Sequence, residues 1–166
     1  MCTAAGHMMK GIQDYLASIG ASAGLCATDI KDRGYQDNTL NYLKYGEDFL
    51  SDDYINDLPI GIDYIIMNPP YSVIEPFVMK ALSIAEKGIL MLGRLQFLEG
   101  ESRYNNILKE YPPTDIYVYV DRISCPKNGT EKTGNAQAYA WFYWDRENNS
   151  SDTKLHWIRR ANKKLN

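Results

Sequence analysis

Cysteine and histidine are scarce in this sequence, and long apolar runs are missing. The three cysteines, Cys2, Cys26 and Cys125, lie far apart and form no Cys-x-x-Cys pair. This usage is typical of reduced thiols in the cytoplasm, where we expect the protein to be. The two histidines, His7 and His156, are also isolated. The sequence therefore predicts no metal site.

Apolar runs are only a few residues long, whereas a membrane span needs about 20. A charged-then-apolar leader is also missing, so we expect no membrane partner. The net charge of −3 argues against a protein that coats itself in nucleic acid by electrostatics alone. Basic residues gather near the C-terminus, where we expect a solvated tail: Lys154, Arg159, Arg160, Lys163 and Lys164.

What the sequence does contain is enough apolar material for a core. It has 166 residues, of which 45% are hydrophobic, and we find no repeat, low-complexity segment or linker. We therefore predict one domain over residues 1–166, with no separate target-recognition domain.

Helical and strand-like segments alternate along the chain. Helical spacing and capping residues predict helices over 8–19, 74–86 and 101–110, the second with Ser72 as N-cap. Apolar runs predict strands over 25–30, 62–67, 88–95, 116–123, 138–144 and 155–158. The run at 62–67 is apolar on both faces and predicts an interior strand. This order predicts an α/β fold with a doubly wound, mainly parallel sheet, and the last long strands predict an antiparallel edge strand.

The segment Asn68-Pro69-Pro70-Tyr71 directly follows the run that ends at Met67. In an open α/β sheet, ligands bind beyond the carboxyl ends of the strands, where Asn68 would emerge. The two prolines fix φ and remove two backbone donors, which leaves a rigid corner of acceptors. The Asn68 side-chain oxygen and the Pro69 carbonyl could therefore accept both N–H bonds of an amine.

Such a corner suits methyl transfer to nitrogen. Holding both N–H bonds draws the lone pair of the amine out of conjugation and towards an electrophilic methyl group. No base is needed before the attack, so catalysis consists of positioning and charge stabilisation. Tyr71 offers a flat face for a planar substrate such as a flipped adenine.

The segment from Asp63 to Ser72, Asp-Tyr-Ile-Ile-Met-Asn-Pro-Pro-Tyr-Ser, resembles motif IV of the S-adenosylmethionine-dependent adenine-N6 DNA methyltransferases. Further similar segments follow the family's order along nearly the whole chain. The segments 92–95 and 97–100 resemble the fifth strand and the next loop of small phage-type members, and 138–144 resembles their penultimate strand. The resemblance implies a Rossmann-like class I methyltransferase fold, with Asn68, Pro69, Pro70 and Tyr71 as catalytic residues.

The resemblance also implies a cofactor site for S-adenosylmethionine. Asp29, in Thr28-Asp29-Ile30, matches the acidic residue that binds the ribose hydroxyls. Asp48 and Phe49 match an Asp-Phe step that contacts the cofactor's adenine ring, although Phe49 could instead belong to the core. Ala4, Ala5 and Gly6 match the start of the cofactor loop.

The N-terminal part departs from the family pattern. The second glycine of the cofactor loop and the acidic residue before it are missing, and little sequence precedes the loop to form the first strand. We therefore expect this central strand to be truncated. The chain could be shortened, another segment, a partner subunit or a second copy of the chain could complete the sheet, or a remnant at 2–4 could close it.

The first hypothesis is an enzyme that methylates the N6 of adenine in DNA. DNA would then be the substrate and partner of this protein. The loop 124–137 would then have to supply sequence reading. Transfer to a glutamine amide of a protein is an alternative, because that chemistry uses the same corner. A non-catalytic binding module is another, given the altered cofactor loop.

Overall fold

The computed structural model describes residues 7–32, 34–37, 40–57, 61–121, 137–148 and 152–160. The chain has a mixed α/β fold, as predicted, and divides into two compact units, 1–60 and 61–166. The predicted cofactor-loop residues Ala4, Ala5 and Gly6, with the strand remnant at 2–4, lie outside the described residues. So does the predicted recognition loop, apart from its last residue, Gln137.

The first unit is built on a short parallel strand pair. Helix α1 (His7–Ser18) is followed by a left-handed Gly20, with φ of +65°. Strand β1 (Cys26–Asp29) then pairs in parallel with β2 (Tyr42–Tyr45), and a 3₁₀ helix follows at Asp52–Asp57. Strand β2 was not predicted. Its four residues are all half-buried, so its sequence shows no alternation of apolar and polar residues.

The second unit is a five-stranded sheet with helical connections. Its strands are β3 (Tyr64–Met67), β4 (Gly88–Arg94), β5 (Asp115–Tyr119), β6 (Tyr139–Asp145) and β7 (Lys154–Ile158). A 3₁₀ turn (Tyr71–Val73) and helix α2 (Ile74–Ile84) join β3 to β4, and these two strands are parallel. Between β4 and β5 lie a 3₁₀ turn (Leu95–Leu98), the short helix α3 (Glu101–Arg103) and a π-helical turn (Tyr104–Leu108).

The strand order of this sheet is β3-β4-β6-β5-β7, which corrects the prediction of an antiparallel edge strand. Strand β6 is antiparallel to both of its neighbours and lies in the middle of the sheet. The edge beyond β5 is formed instead by β7, which is parallel to β5. An interior position explains the sequence of β6, since Ala140 and Phe142 are fully buried.

The core of the second unit lies between α2 and the central strands. Val78, Ile89, Met91 and Phe142 have no exposed surface. Among the described residues of this unit, β3 is at the end of the strand order, where the sequence predicted an interior strand. Its first residue, Tyr64, is accordingly 47% exposed.

Two helix predictions also change. Ser72 is not an N-cap: it lies inside the 3₁₀ turn, and the cap position of α2 is Val73. The helix predicted at 101–110 is a single α turn that widens into a π turn and stops at Leu108, before the two prolines. Across the ranges given above, no helix has the length and apolar character needed to cross a membrane.

Candidate functional site

Asn68 follows the last residue of β3, at the carboxyl edge of the five-stranded sheet. It is half-buried, Pro69 is buried and Pro70 is exposed. The Pro70 carbonyl accepts the backbone N–H of Val73 at 3.1 Å, which closes the turn behind the corner. The Asn68 side chain makes no hydrogen bond to another described residue. Its amide therefore remains available to a ligand.

The parallel register brings the end of β4 to the same place. Met67 pairs with Met91, and β4 continues beyond this level to Arg94. The guanidinium carbon of Arg94 lies 4.0 Å from the centre of the Tyr71 ring, which is a cation–π contact. Arg94 in turn pairs across the sheet with Tyr139, the first residue of β6. Tyr71 thus contacts β4 through Arg94, and Arg94 in turn pairs with β6.

The pKa values of Tyr71 and Arg94 are both shifted by their surroundings. Burial and a polar interaction with the Tyr139 hydroxyl raise the pKa of Tyr71, while the positive charge of Arg94 opposes that rise. Burial lowers the pKa of Arg94, but interactions with the hydroxyls of Tyr139 and Tyr71 outweigh it and raise the pKa. At neutral pH, Tyr71 is therefore a neutral phenol and Arg94 a cation. Tyr71 is consequently placed to stack or donate, and not to act as a base.

A groove of about 470 Å³ opens beside Arg94. It lies between the turn after β4 and the start of β6, which the Leu95 N–H joins by a 2.8 Å hydrogen bond to the Ala138 carbonyl. Arg103 supports the turn, because its Nη1 donates to the Gln96 carbonyl at 3.0 Å. The groove is lined by Arg94, Leu95, Gln96, Leu98, Glu99, Gln137 and Ala138.

Asp29 is the last residue of β1 in the first unit, as predicted. It is 5% exposed, and its Oδ1 accepts the backbone N–H of Lys31 at 3.0 Å. Asp29 pairs with Tyr45 in the parallel register, so Asp48 follows β2 at the same edge. A carboxylate at such an edge has the chemistry to accept two ribose hydroxyls, and this role of Asp29 stays a prediction.

Asp48 and Phe49 have structural partners of their own. Asp48 is exposed, and its Oδ1 accepts the backbone N–H of Leu50 at 2.9 Å. Phe49 is 8% exposed and packs edge-on against Tyr54 at 5.1 Å between ring centres. Tyr54 is itself held by a 2.7 Å hydrogen bond with Thr28. Phe49 therefore contributes to the core of this unit, and its contact with a cofactor stays a prediction.

The second unit brings Asn68, Tyr71, Arg94 and Tyr139 to one sheet edge. Sequence reasoning found the first two and missed the others. Arg94 could have been noticed as a cation that ends a buried apolar strand. Tyr139 gave no such signal, because its position depends on the pairing of β6 with β4.

No protein-family model matches this chain, and no curated protein matches it either.

Proposed function

We propose that this protein transfers a methyl group from S-adenosylmethionine to the exocyclic N6 of adenine in DNA. The observation that carries the proposal is the Asn68-Pro69-Pro70-Tyr71 corner at the carboxyl end of β3, with its amide side chain unengaged by described residues. The β3-α2-β4 unit supports a Rossmann-like class I methyltransferase fold, since parallel strands joined by a helix are the unit of doubly wound sheets.

The corner would bind the acceptor amine. The Asn68 Oδ1 and the Pro69 carbonyl accept its two N–H bonds, and the prolines keep these acceptors fixed. Tyr71 stacks against the ring that bears the amine. These contacts strengthen as positive charge develops on the nitrogen, so they stabilise the transition state more than the bound substrate.

S-adenosylmethionine, when bound, supplies an electrophilic methyl group. Asp29 would hold its ribose hydroxyls, and Asp48 lies at the same strand edge to assist. Ala4, Ala5 and Gly6 would form the start of the cofactor loop, as the family resemblance implies. The net charge of −3 means that DNA affinity has to come from local contacts of the site.

Methyl transfer from labelled S-adenosylmethionine to unmethylated DNA tests the proposal. We expect Asn68→Ala to lower kcat by about 100-fold or more, the usual cost of removing one polar group that stabilises the transition state. Asn105→Ala is the matched control, because it removes an exposed asparagine from the same unit. We expect this control to keep wild-type activity.

The outcomes separate the alternatives. Equal incorporation by wild type and Asn68→Ala would remove Asn68 from the site. Label in a glutamine amide of added protein, and not in DNA, would favour the protein methyltransferase. Calorimetry that detects no binding at millimolar S-adenosylmethionine would favour a non-catalytic module.

A further inference from the structure

Arg94 covers one face of the Tyr71 ring. The 4.0 Å distance from the guanidinium carbon to the ring centre places the planar cation directly over the π system. Tyr71 is nevertheless 39% exposed, so part of the ring still faces solvent. One face of this ring thus meets a protein cation, while part of the residue remains accessible to a ligand.

Arg94 is held in this position at an energetic cost. Its Nε is buried and has no hydrogen-bond partner among the described residues. An unsatisfied buried donor carries a desolvation penalty, and few buried donors in native structures lack a partner. The Tyr71 ring provides partial compensation, because an N–H group near an aromatic face makes a weak favourable contact.

The anchor of Arg94 is rigid, whereas Tyr71 belongs to a turn. Arg94 ends β4 and pairs with the buried Tyr139 of β6, so two central strands fix it. Tyr71 starts a 3₁₀ turn whose hydrogen bond joins Val73 to Pro70. Contact with Arg94 therefore restrains the Tyr71 side chain beyond what its own turn provides.

We propose that Arg94 is a positioning residue that fixes the Tyr71 ring from one face, so that the opposite face is set to stack the acceptor base. This inference rests on the proposed function. Arg94 acts through Tyr71, and fixing the ring before binding removes an ordering cost that the substrate would otherwise have to meet. Arg94 thereby contributes to substrate affinity and orientation without touching the reacting nitrogen.

Steady-state methylation of an adenine-containing oligonucleotide tests this role through a double-mutant cycle. We expect Arg94→Met to lower kcat/KM roughly tenfold, mainly through a higher KM for the oligonucleotide, in line with the usual strength of a cation–π contact. Arg94→Lys keeps a cation and should recover part of the loss. In a Tyr71→Leu background, Arg94→Met should have no further effect, because the ring on which it acts is gone.

Two further measurements separate positioning from other effects. Affinity for S-adenosylmethionine, measured by calorimetry, should be the same for Arg94→Met and wild type. Lys109→Met removes an exposed cation from the same unit and should leave kcat/KM unchanged. It controls for the weaker attraction of DNA that follows from losing one positive charge. A change in tryptophan fluorescence would reveal any variant of Tyr71 or Arg94 that unfolds. If Arg94→Met unfolds, Arg94→Lys replaces it in the test.

The results distinguish the two proposals. A wild-type protein that transfers no methyl group overturns the proposed function. An active wild type with unchanged kcat/KM in Arg94→Met overturns the role of Arg94 alone. Equal losses from Arg94→Met in the wild-type and Tyr71→Leu backgrounds would also overturn it, because Arg94 would then act independently of the ring.

Discussion

Thr114 joins β5 to the central strand β6, and its substitution by valine tests the strand order. The residue immediately precedes β5 and is 7% exposed. Its hydroxyl donates to the Tyr143 carbonyl at 3.1 Å and accepts the backbone N–H of Asp145 at 3.1 Å. Valine has nearly the same shape but offers neither contact.

The magnitude follows from which groups lose a partner. The Tyr143 carbonyl keeps the backbone N–H of Thr114, 2.8 Å away, so it stays satisfied. The Asp145 N–H loses the hydroxyl, and an N–H left without a partner costs about 1–3 kcal/mol when buried. Because Asp145 is only half-buried, water replaces part of this contact. We expect Thr114→Val to lower the free energy of unfolding by about 1 kcal/mol, which moves the urea midpoint by about 0.5 M.

Urea unfolding followed by tryptophan fluorescence measures this effect in the relevant unit. All three tryptophans, Trp141, Trp144 and Trp157, lie within residues 61–166. Thr114→Ser is the matched control, because it keeps the hydroxyl and loses one methyl group. We expect the serine variant to be more stable than the valine variant. The opposite order, or a valine variant as stable as wild type, would refute the pairing of Thr114 with β6.

Three other predictions concern the second unit. Phe142→Ala should lower stability by about 3–5 kcal/mol, because Phe142 is fully buried and packs edge-on against Phe97 at 5.0 Å; a cost no greater than that of Phe142→Leu in the same urea assay would contradict it. Burial, with the nearby Asp145 carboxylate, raises the pKa of Tyr143 to about 12. The folded state thus keeps the Tyr143 hydroxyl protonated at pH values above the ordinary tyrosine pKa of about 10. The contribution of this group to the free energy of unfolding is complete below pH 10 and is lost as the pH rises towards 12. Tyr143→Phe should therefore flatten the alkaline fall of the urea midpoint, and an unchanged slope would speak against the shift. Gly100→Ala should cost about 1–3 kcal/mol, because φ at Gly100 is +109°, and a wild-type midpoint would show that the turn adapts.

Local patterns were sufficient for several features. Apolar runs marked β1, β4 and β6 to within a few residues, because a buried strand needs apolar side chains wherever its neighbours lie. The double proline predicted the corner after Met67, because the backbone restriction of proline is local. The acidic end of β1, Asp29, was likewise visible in sequence, whereas β2 lacked the pattern that would have marked it.

Tertiary structure decided what depended on pairing. Strand β6 follows β5 in the chain but lies between β4 and β5 in the sheet. Chain order does not fix spatial order where a long connection separates two strands. That insertion places Tyr139 opposite Arg94, and the parallel register of β3 with β4 places Arg94 over Tyr71. By itself, the sequence determined the chemistry of the Asn68 corner, since adjacent residues carry it. The surroundings of that corner come from three strands distant in sequence, and only their hydrogen-bonded register brings those side chains together.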